Sequence, residues 1–143
     1  MNNSYTHEVQ YYETDQMGVT HHSNYIRWME EARLDFFKKR GYDYKILEKE
    51  KIICPVIGIN GKYKKTTTFG DVVNITVYVS LVKGIKLEIF YQMKVDGTLV
   101  FEGTSEHAFM TTDMKFMRLE SDFPEFHKLL MEENELYLKT FAK

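Results

Sequence analysis

Asp15, Gly18, His21 and His22 stand close together near the start of this 143-residue chain, and their types can do chemistry. A carboxylate can act as a nucleophile or as a general base. The two histidines directly precede an apolar-periodic segment, and the free backbone N–H groups at a helix start can stabilise an anion. Aspartate and glycine are also common in bends, and a histidine can simply cap a helix. These residues alone leave both an active site and ordinary helix punctuation open.

The element that would position these residues is a long helix. From Ser23 to Arg40, apolar side chains recur at helical spacing. The recurring residues are Tyr25, Trp28, Met29, Ala32 and Phe36, joined by Ile26 and Phe37. His22 or Ser23 is the expected N-cap, and Gly41 stands where a helix stops. This pattern predicts a largely buried helix with Tyr25 and Trp28 in the core.

The remainder of the chain predicts strands, with helical turns at its borders. A modest first strand is expected from Thr6 to Tyr12, and a short helical turn follows the long helix in "YDYKILEKE". The stretch "KIICPVIGINGKYKKTTT" is rich in β-formers, although Pro55 implies a bulge or an edge position. Val73 to Leu81 and Leu87 to Val95 each carry an apolar residue at every second position, so one face of each strand is apolar, with a turn at Lys83–Gly84 between them. "DGT" is a hairpin signal, and a closing helix should start near Pro124.

The order of elements is therefore a strand, a long helix, four strands in an antiparallel meander and a terminal helix. An apolar helix must be covered on most faces, and a curved antiparallel sheet wrapped around it would do so. The sequence contains no repeat, low-complexity segment or linker. We therefore predict an α+β fold in a single domain covering residues 1–143.

The composition limits the kinds of partner and the cellular location that we expect. Hydrophobic residues make up 43% of the chain and charged residues 28%, with a net charge of −2, which gives no reason to expect a nucleic-acid partner. No apolar run is long enough for a membrane span, and the start does not read as a signal peptide. The single cysteine, Cys54, excludes an internal disulfide and fits a cytoplasmic location. Its surroundings predict a core thiol rather than a nucleophile.

Two stretches of the chain resemble the hotdog-fold acyl-CoA thioesterases of the 4-hydroxybenzoyl-CoA thioesterase class, nearest the Tol-Pal-associated branch. The first is "YYETDQMGVTHHSNYIRWMEEAR", where the matching positions are Tyr12, Asp15, Gly18, Val19, His22, Asn24, Tyr25, Glu30, Ala32 and Arg33. The second is "YKKTTTFGDVV", with Tyr63, Gly70 and Asp71. The chain departs from this pattern at Thr66–Thr67, where a proline-alanine pair is common, and at Gln16–Met17, where the first residue is commonly small or proline. These departures concern substrate fit more than the carboxylate.

The resemblance implies hydrolysis of an acyl-CoA thioester, with coenzyme A as part of the substrate and no other cofactor. It implies that Asp15 is the nucleophile or general base. Because a helix start supplies free N–H groups, the backbone N–H of His22 is the candidate oxyanion donor, and its imidazole either orients substrate or water or only caps the helix. The residues expected to bind substrate are Gly18, which lets the loop approach the thioester, its neighbour Val19, and Tyr25 near the acyl pocket. Lys83 and Lys86 are expected near the nucleotide phosphates, with Lys62, Lys64 and Lys65 as second candidates. In this family two units pair edge to edge, so a homodimer or a tetramer of dimers is expected.

Other interpretations of the same residues remain open. A metal site is not expected, because adjacent histidines project in different directions and the usual i, i+4 pair is missing. A helix carboxylate could replace Asp15, but Glu30 stands three residues before Arg33, so a surface or interface ion pair explains it better. Asp15 with His22 could also imitate the His–carboxylate pair of a hotdog hydratase or dehydratase. A non-catalytic acyl-CoA binding module is the third alternative.

Overall fold

The computed structural model describes residues 2–141 and has the predicted α+β content. The helices are α1 (Ser23–Lys39), α2 (Tyr44–Lys49), α3 (Leu119–Asp122) and α4 (Pro124–Phe141). The strands are β1 (Ser4–Glu8), β2 (Ile52–Ile53), β3 (Val56–Tyr63), β4 (Val72–Lys83), β5 (Lys86–Val95), β6 (Thr98–Ala108) and β7 (Met110–Thr111). One sheet has five strands in the order β1-β4-β5-β6-β3, and a second pairs β2 with β7. None of the helices within residues 2–141 has the length and apolar character needed to cross a bilayer.

Only β4, β5 and β6 form the predicted meander. Tight turns join these strands, and Asp96 and Gly97 at the second turn have φ angles of 49° and 79°, as a two-residue hairpin requires. Strand β3, which directly precedes β4 in the sequence, pairs with β6 at the far edge of the sheet and not with β4, so the predicted meander of four strands is wrong in this part. The first strand ends at Glu8 rather than Tyr12, because Tyr11–Glu13 form a 3-10 turn.

The described chain divides into two compact units. The first contains Met1–Gly41, Gly61–Val77 and Tyr91–Gly103, and the second contains Tyr42–Asn60, Tyr78–Phe90 and Thr104–Lys143. Strands β3 to β6 contribute residues to both units. All residues that the sequence motif brings near Asp15 belong to the first unit.

Helix α1 forms the core of the first unit. Trp28, Met29 and Ala32 have no exposed surface, and Tyr25 is 2% exposed, as the helical spacing predicts. The helix packs against β1. No ion pair joins Glu30 to Arg33 within residues 2–141, so the surface pair is wrong, while a pair across an interface stays a prediction; Arg33 donates from Nη1 to the hydroxyl of Tyr91 at 3.0 Å. A buried hydroxyl in reach of the guanidinium therefore replaces a surface carboxylate as its partner.

In the second unit, α4 covers part of the sheet with aromatic side chains. The rings of Tyr78 and Phe90 contact Phe141 at centroid distances of 4.9 and 5.4 Å. Asn134 adds a hydrogen bond from Nδ2 to the backbone oxygen of Val79 at 3.0 Å. Cys54 is half-buried, so the prediction of a core thiol is only partly correct. The chain becomes exposed directly after Pro55.

Candidate active site

Asp15 begins a short loop that closes on itself. Its N–H donates to the backbone oxygen of Val19 at 2.8 Å, and its own backbone oxygen accepts from Gly18 at 3.0 Å. Gly18 has a φ angle of 80°, a conformation that favours glycine. The side-chain oxygen Oδ1 accepts from the N–H of Met17 at 2.8 Å, whereas Oδ2 has no hydrogen-bond partner among residues 2–141. Asp15 is therefore a turn residue that keeps one oxygen available.

The start of α1 lies beside this loop and is fixed to it through Glu13. The backbone oxygen of Glu13 accepts from the N–H of His21 at 2.8 Å and from Nδ2 of Asn24 at 2.9 Å. His22 occupies the N-cap position but makes no side-chain cap. The cap comes from His21, whose Nδ1 accepts from the N–H of Ser23 at 3.2 Å. The capping role that the sequence left open for the His22 imidazole is therefore wrong.

The backbone N–H of His22 has no acceptor within the described part of the chain. It belongs to the group of N–H donors that a helix start leaves without intrahelical partners, and the helix dipole favours negative charge there. This is the condition that an oxyanion donor must meet.

The Glu13 side chain joins the start of the Asp15 loop to β1 and α1. Sequence reasoning missed this residue. It is 5% exposed. Its Oε1 accepts from the N–H of Gln10 and from Nε2 of His7, both at 2.8 Å, and its Oε2 accepts from Nε1 of Trp28 at 2.8 Å. Burial alone would raise the pKa of Glu13, but the hydrogen bonds from Gln10, His7 and Trp28 outweigh it and lower the pKa. The sequence shows only that a second carboxylate stands two residues before Asp15, and this spacing does not indicate that Glu13 is buried.

A cavity of about 330 Å³ opens next to the Asp15 loop in the first unit. Its lining residues are Asp15, Met17, Val19, Thr20, His22, Tyr25, Tyr63, Lys64, Lys65 and Thr66. Tyr25 and Tyr63 pack against Phe101 at centroid distances of 5.2 and 5.1 Å, which makes one side of the cavity aromatic. Phe101 lies so close to the backbone of Gly61 that a Cβ built there would come within 2.5 Å of the ring. The aromatic side therefore depends on a glycine.

A second cavity, of about 490 Å³, also reaches Asp15. It is lined by Tyr12, Thr14, Asp15, His21, Ser23, Asn24 and Arg27, a more polar set than that of the first cavity. Arg27 makes no ion pair within residues 2–141. Asp15 is the residue that the two linings share, so it borders both cavities.

The structure brings together only some of the residues predicted to bind substrate. Val19 and Tyr25 line the first cavity, and Gly18 lies in the loop, where its backbone oxygen accepts from Oγ1 of Thr68 at 2.8 Å. Lys83 and Lys86 belong to the second unit, and Nζ of Lys86 pairs with Oε1 of Glu106 at 3.1 Å. The cations at the first cavity are Lys64 and Lys65, which the sequence ranked second.

Within the described residues, the surroundings of Asp15 contain neither a metal-binding cluster nor a hydrogen-bonded Asp15–His22 pair. Among residues 2–141, no group of three or more His, Cys, Asp or Glu side chains is placed to hold a metal ion. No hydrogen bond joins Asp15 to the imidazole of His22 in the described chain. That imidazole stacks on His21 at a centroid distance of 4.3 Å instead.

The model of the thioesterase-like superfamily matches residues 9–132 of this chain. The chain belongs to this superfamily. A relative in Bacillus subtilis (strain 168), described as a candidate acyl-CoA thioesterase and named YneP, is 34% identical over 84% of this chain and 88% of its own length.

Solved structures agree with this family. The DHNA-CoA thioesterase from Staphylococcus aureus superposes with a TM-score of 0.88 at 32% identity, covering 99% of this chain and 95% of the other. A 1,4-dihydroxy-2-naphthoyl-CoA thioesterase from Synechocystis has a TM-score of 0.75 over 85% of this chain and 91% of its own, but at 14% identity it informs the fold alone. The predicted hotdog fold is thus confirmed, and so is a thioesterase at the level of the family. The roles of individual residues stay predictions.

Proposed function

We propose that this protein hydrolyses an acyl-CoA thioester to the free acid and coenzyme A, with Asp15 as the nucleophile or general base. The observation that carries this proposal is the position of Asp15 between two cavities, with Oδ2 available and the unpaired N–H of His22 nearby in the chain. A thioester carbon held at Asp15 has its acyl group in one cavity and its pantetheine arm in the other. Both substituents of the reacting carbon are then accommodated.

Two routes use the same groups. In the first, Oδ2 attacks the carbonyl carbon, the thiolate of coenzyme A leaves, and water hydrolyses the resulting anhydride. In the second, Asp15 takes a proton from water, the hydroxide attacks, and the departing sulfur receives the proton. Both routes place negative charge on the carbonyl oxygen, and the N–H of His22 would stabilise it.

The aromatic side of the first cavity favours an aromatic or a short-to-medium acyl group. Tyr25 and Tyr63 line the cavity with Phe101 packed against both rings, and Met17 at the cavity is a flexible apolar side chain. The relative from Staphylococcus aureus is named for DHNA-CoA, whose acyl group is aromatic, which supports this choice. We further propose that Lys83 and Lys86, or Lys64 and Lys65, contact the phosphates, and that the reaction takes place in the cytoplasm. The placement beside the Tol-Pal-associated branch rests on the motif alone and stays a prediction.

A thiol-release assay over short, long and aromatic acyl-CoAs tests the proposed reaction. We expect free thiol to appear with at least one class, with aromatic acyl groups among the best substrates. Hydration of an enoyl-CoA without thiol release would favour the hydratase alternative. Tight binding of acyl-CoA without turnover would favour the binding module.

We also propose that two copies of the chain form a homodimer, alone or within a tetramer of dimers, through the edge strand β3. A strand at a sheet edge has unpaired backbone groups on its outer side. Val56, Ile57 and Ile59 on this strand are 47%, 58% and 42% exposed, although they are apolar. We expect at least a dimeric mass by light scattering at micromolar concentration, and a shift toward the monomer for Ile59→Lys. A monomeric mass for the unmodified protein would contradict this arrangement.

A further inference from the structure

Three hydroxyl groups form a buried chain of hydrogen bonds beside the first cavity. Tyr25, Thr67 and Thr20 are 2%, 2% and 7% exposed. The hydroxyl oxygens of Tyr25 and Thr67 are 2.9 Å apart, and those of Thr67 and Thr20 are 2.6 Å apart. Oγ1 of Thr20 is 3.1 Å from the backbone oxygen of Thr67. We refer to these three side chains as the hydroxyl chain.

The donor and acceptor of each hydrogen bond in the hydroxyl chain follow from the backbone oxygen at which the chain ends. A carbonyl oxygen can only accept, so Thr20 donates to the backbone oxygen of Thr67. Thr67 then donates to Thr20, and Tyr25 donates to Thr67, which uses each of the three protons once. Burial is the main cause that raises the pKa of Tyr25, so its phenol keeps the proton that this arrangement requires.

The hydroxyl chain connects the two parts of the candidate site. Thr20 closes the Asp15 loop, and its N–H donates to the backbone oxygen of Thr67 at 2.8 Å. Tyr25 lies in the first turn of α1, three residues after His22. The Thr67 side chain bridges them, so it joins the loop that carries the carboxylate to the helix start that carries the oxyanion donor.

We propose that Thr67 is a positioning residue, whose hydroxyl fixes Asp15 relative to the backbone N–H of His22 through Thr20 and Tyr25. This inference rests on the proposed thioester hydrolysis. Small displacements of reacting groups cost rate, because catalysis needs both groups in place at once. Backbone hydrogen bonds hold the loop near Thr67, and the hydroxyl sets its distance from the helix.

The test uses Thr67→Val, which keeps the branched shape and removes the hydroxyl, and Thr67→Ser, which keeps the hydroxyl. We expect Thr67→Val to lower kcat on the order of tenfold with little change in KM, and Thr67→Ser to restore most of the loss. Tyr25→Phe should lower kcat as well, and the double variant with Thr67→Val should lose less than the product of the two single effects, since both break one chain.

A matched control separates positioning from general destabilisation. Val79→Ala removes buried volume in the second unit and should lower the melting temperature without lowering kcat at temperatures where the protein stays folded. Hydrogen exchange adds a readout besides activity: the amides of Asp15 to Thr20 should exchange faster in Thr67→Val than in Val79→Ala. Unchanged kcat and exchange in Thr67→Val, with Asp15→Asn inactive, would overturn this inference alone. A wild-type protein that releases no thiol from any acyl-CoA would overturn the proposed function and this inference with it.

Discussion

Asp15→Asn is expected to lower kcat for thioester hydrolysis by at least about a hundredfold, within the 10²–10⁴ range typical for a group at the reacting centre. Asparagine keeps the size of the side chain but removes the anion that must attack or accept a proton. Its amide oxygen can still accept from the N–H of Met17, so the turn that Oδ1 stabilises should persist. KM should change little, because most contacts to coenzyme A lie away from this carboxylate.

Steady-state kinetics with the best acyl-CoA from the screen measure this effect, and thermal unfolding checks that Asp15→Asn is folded. His22→Ala is the control, because it removes the imidazole but keeps the backbone N–H. It should lose less activity than Asp15→Asn, since the His22 side chain makes no cap and no bond to Asp15. Near wild-type turnover in Asp15→Asn would leave Asp15 as a turn residue only.

Glu13→Gln is expected to produce the largest loss of stability among conservative changes at the site. The carboxylate accepts three hydrogen bonds, from Gln10, His7 and Trp28, whereas an amide has one accepting oxygen and presents its own N–H groups to the remaining donors. A buried donor without an acceptor costs about 1–3 kcal/mol. The free energy of unfolding should fall by at least this amount, as measured by urea denaturation at neutral pH.

We expect the loss of stability in Glu13→Gln to depend on pH. The folded pKa of Glu13 lies below its ordinary value, so its contribution to stability is present above the unfolded pKa, about 4.3 for glutamate, and is lost as the pH falls through the folded pKa. The difference in unfolding free energy between wild type and Glu13→Gln should therefore shrink in acid. Glu30→Gln, at an exposed position, is the control, and a difference that stays constant with pH would refute the assignment.

Local patterns were sufficient for the elements but not for their long-range pairing. The helical spacing from Tyr25 to Phe36 and the hairpin residues Asp96 and Gly97 act over a few neighbours, so the sequence predicted α1 and the β5–β6 turn. Strand β3 was misplaced because its partner β6 lies far along the chain, and edge pairing leaves no local mark.

The candidate site divides in the same way. Asp15 and His22 belong to one contiguous motif, so sequence reading placed them beside each other. Lys65 reaches the cavity, and Thr67 reaches Thr20, only after the chain folds back, and no spacing rule connects either residue to Asp15. The anchoring role of Glu13 could not be identified, because its three donors come from β1, from Gln10 just before the 3-10 turn, and from α1.

The close approach of Phe101 to Gly61 makes the residue that position 61 can hold depend on the residue at position 101. While phenylalanine occupies position 101, its ring fills the space that any side chain at position 61 would need. A smaller residue at position 101 would remove that exclusion and would also take away the ring against which Tyr25 and Tyr63 pack, so that these two lining side chains could move back from the cavity. The two positions should therefore covary among relatives, and laboratory selection for bulkier acyl groups should change Phe101 before any residue other than glycine becomes acceptable at position 61.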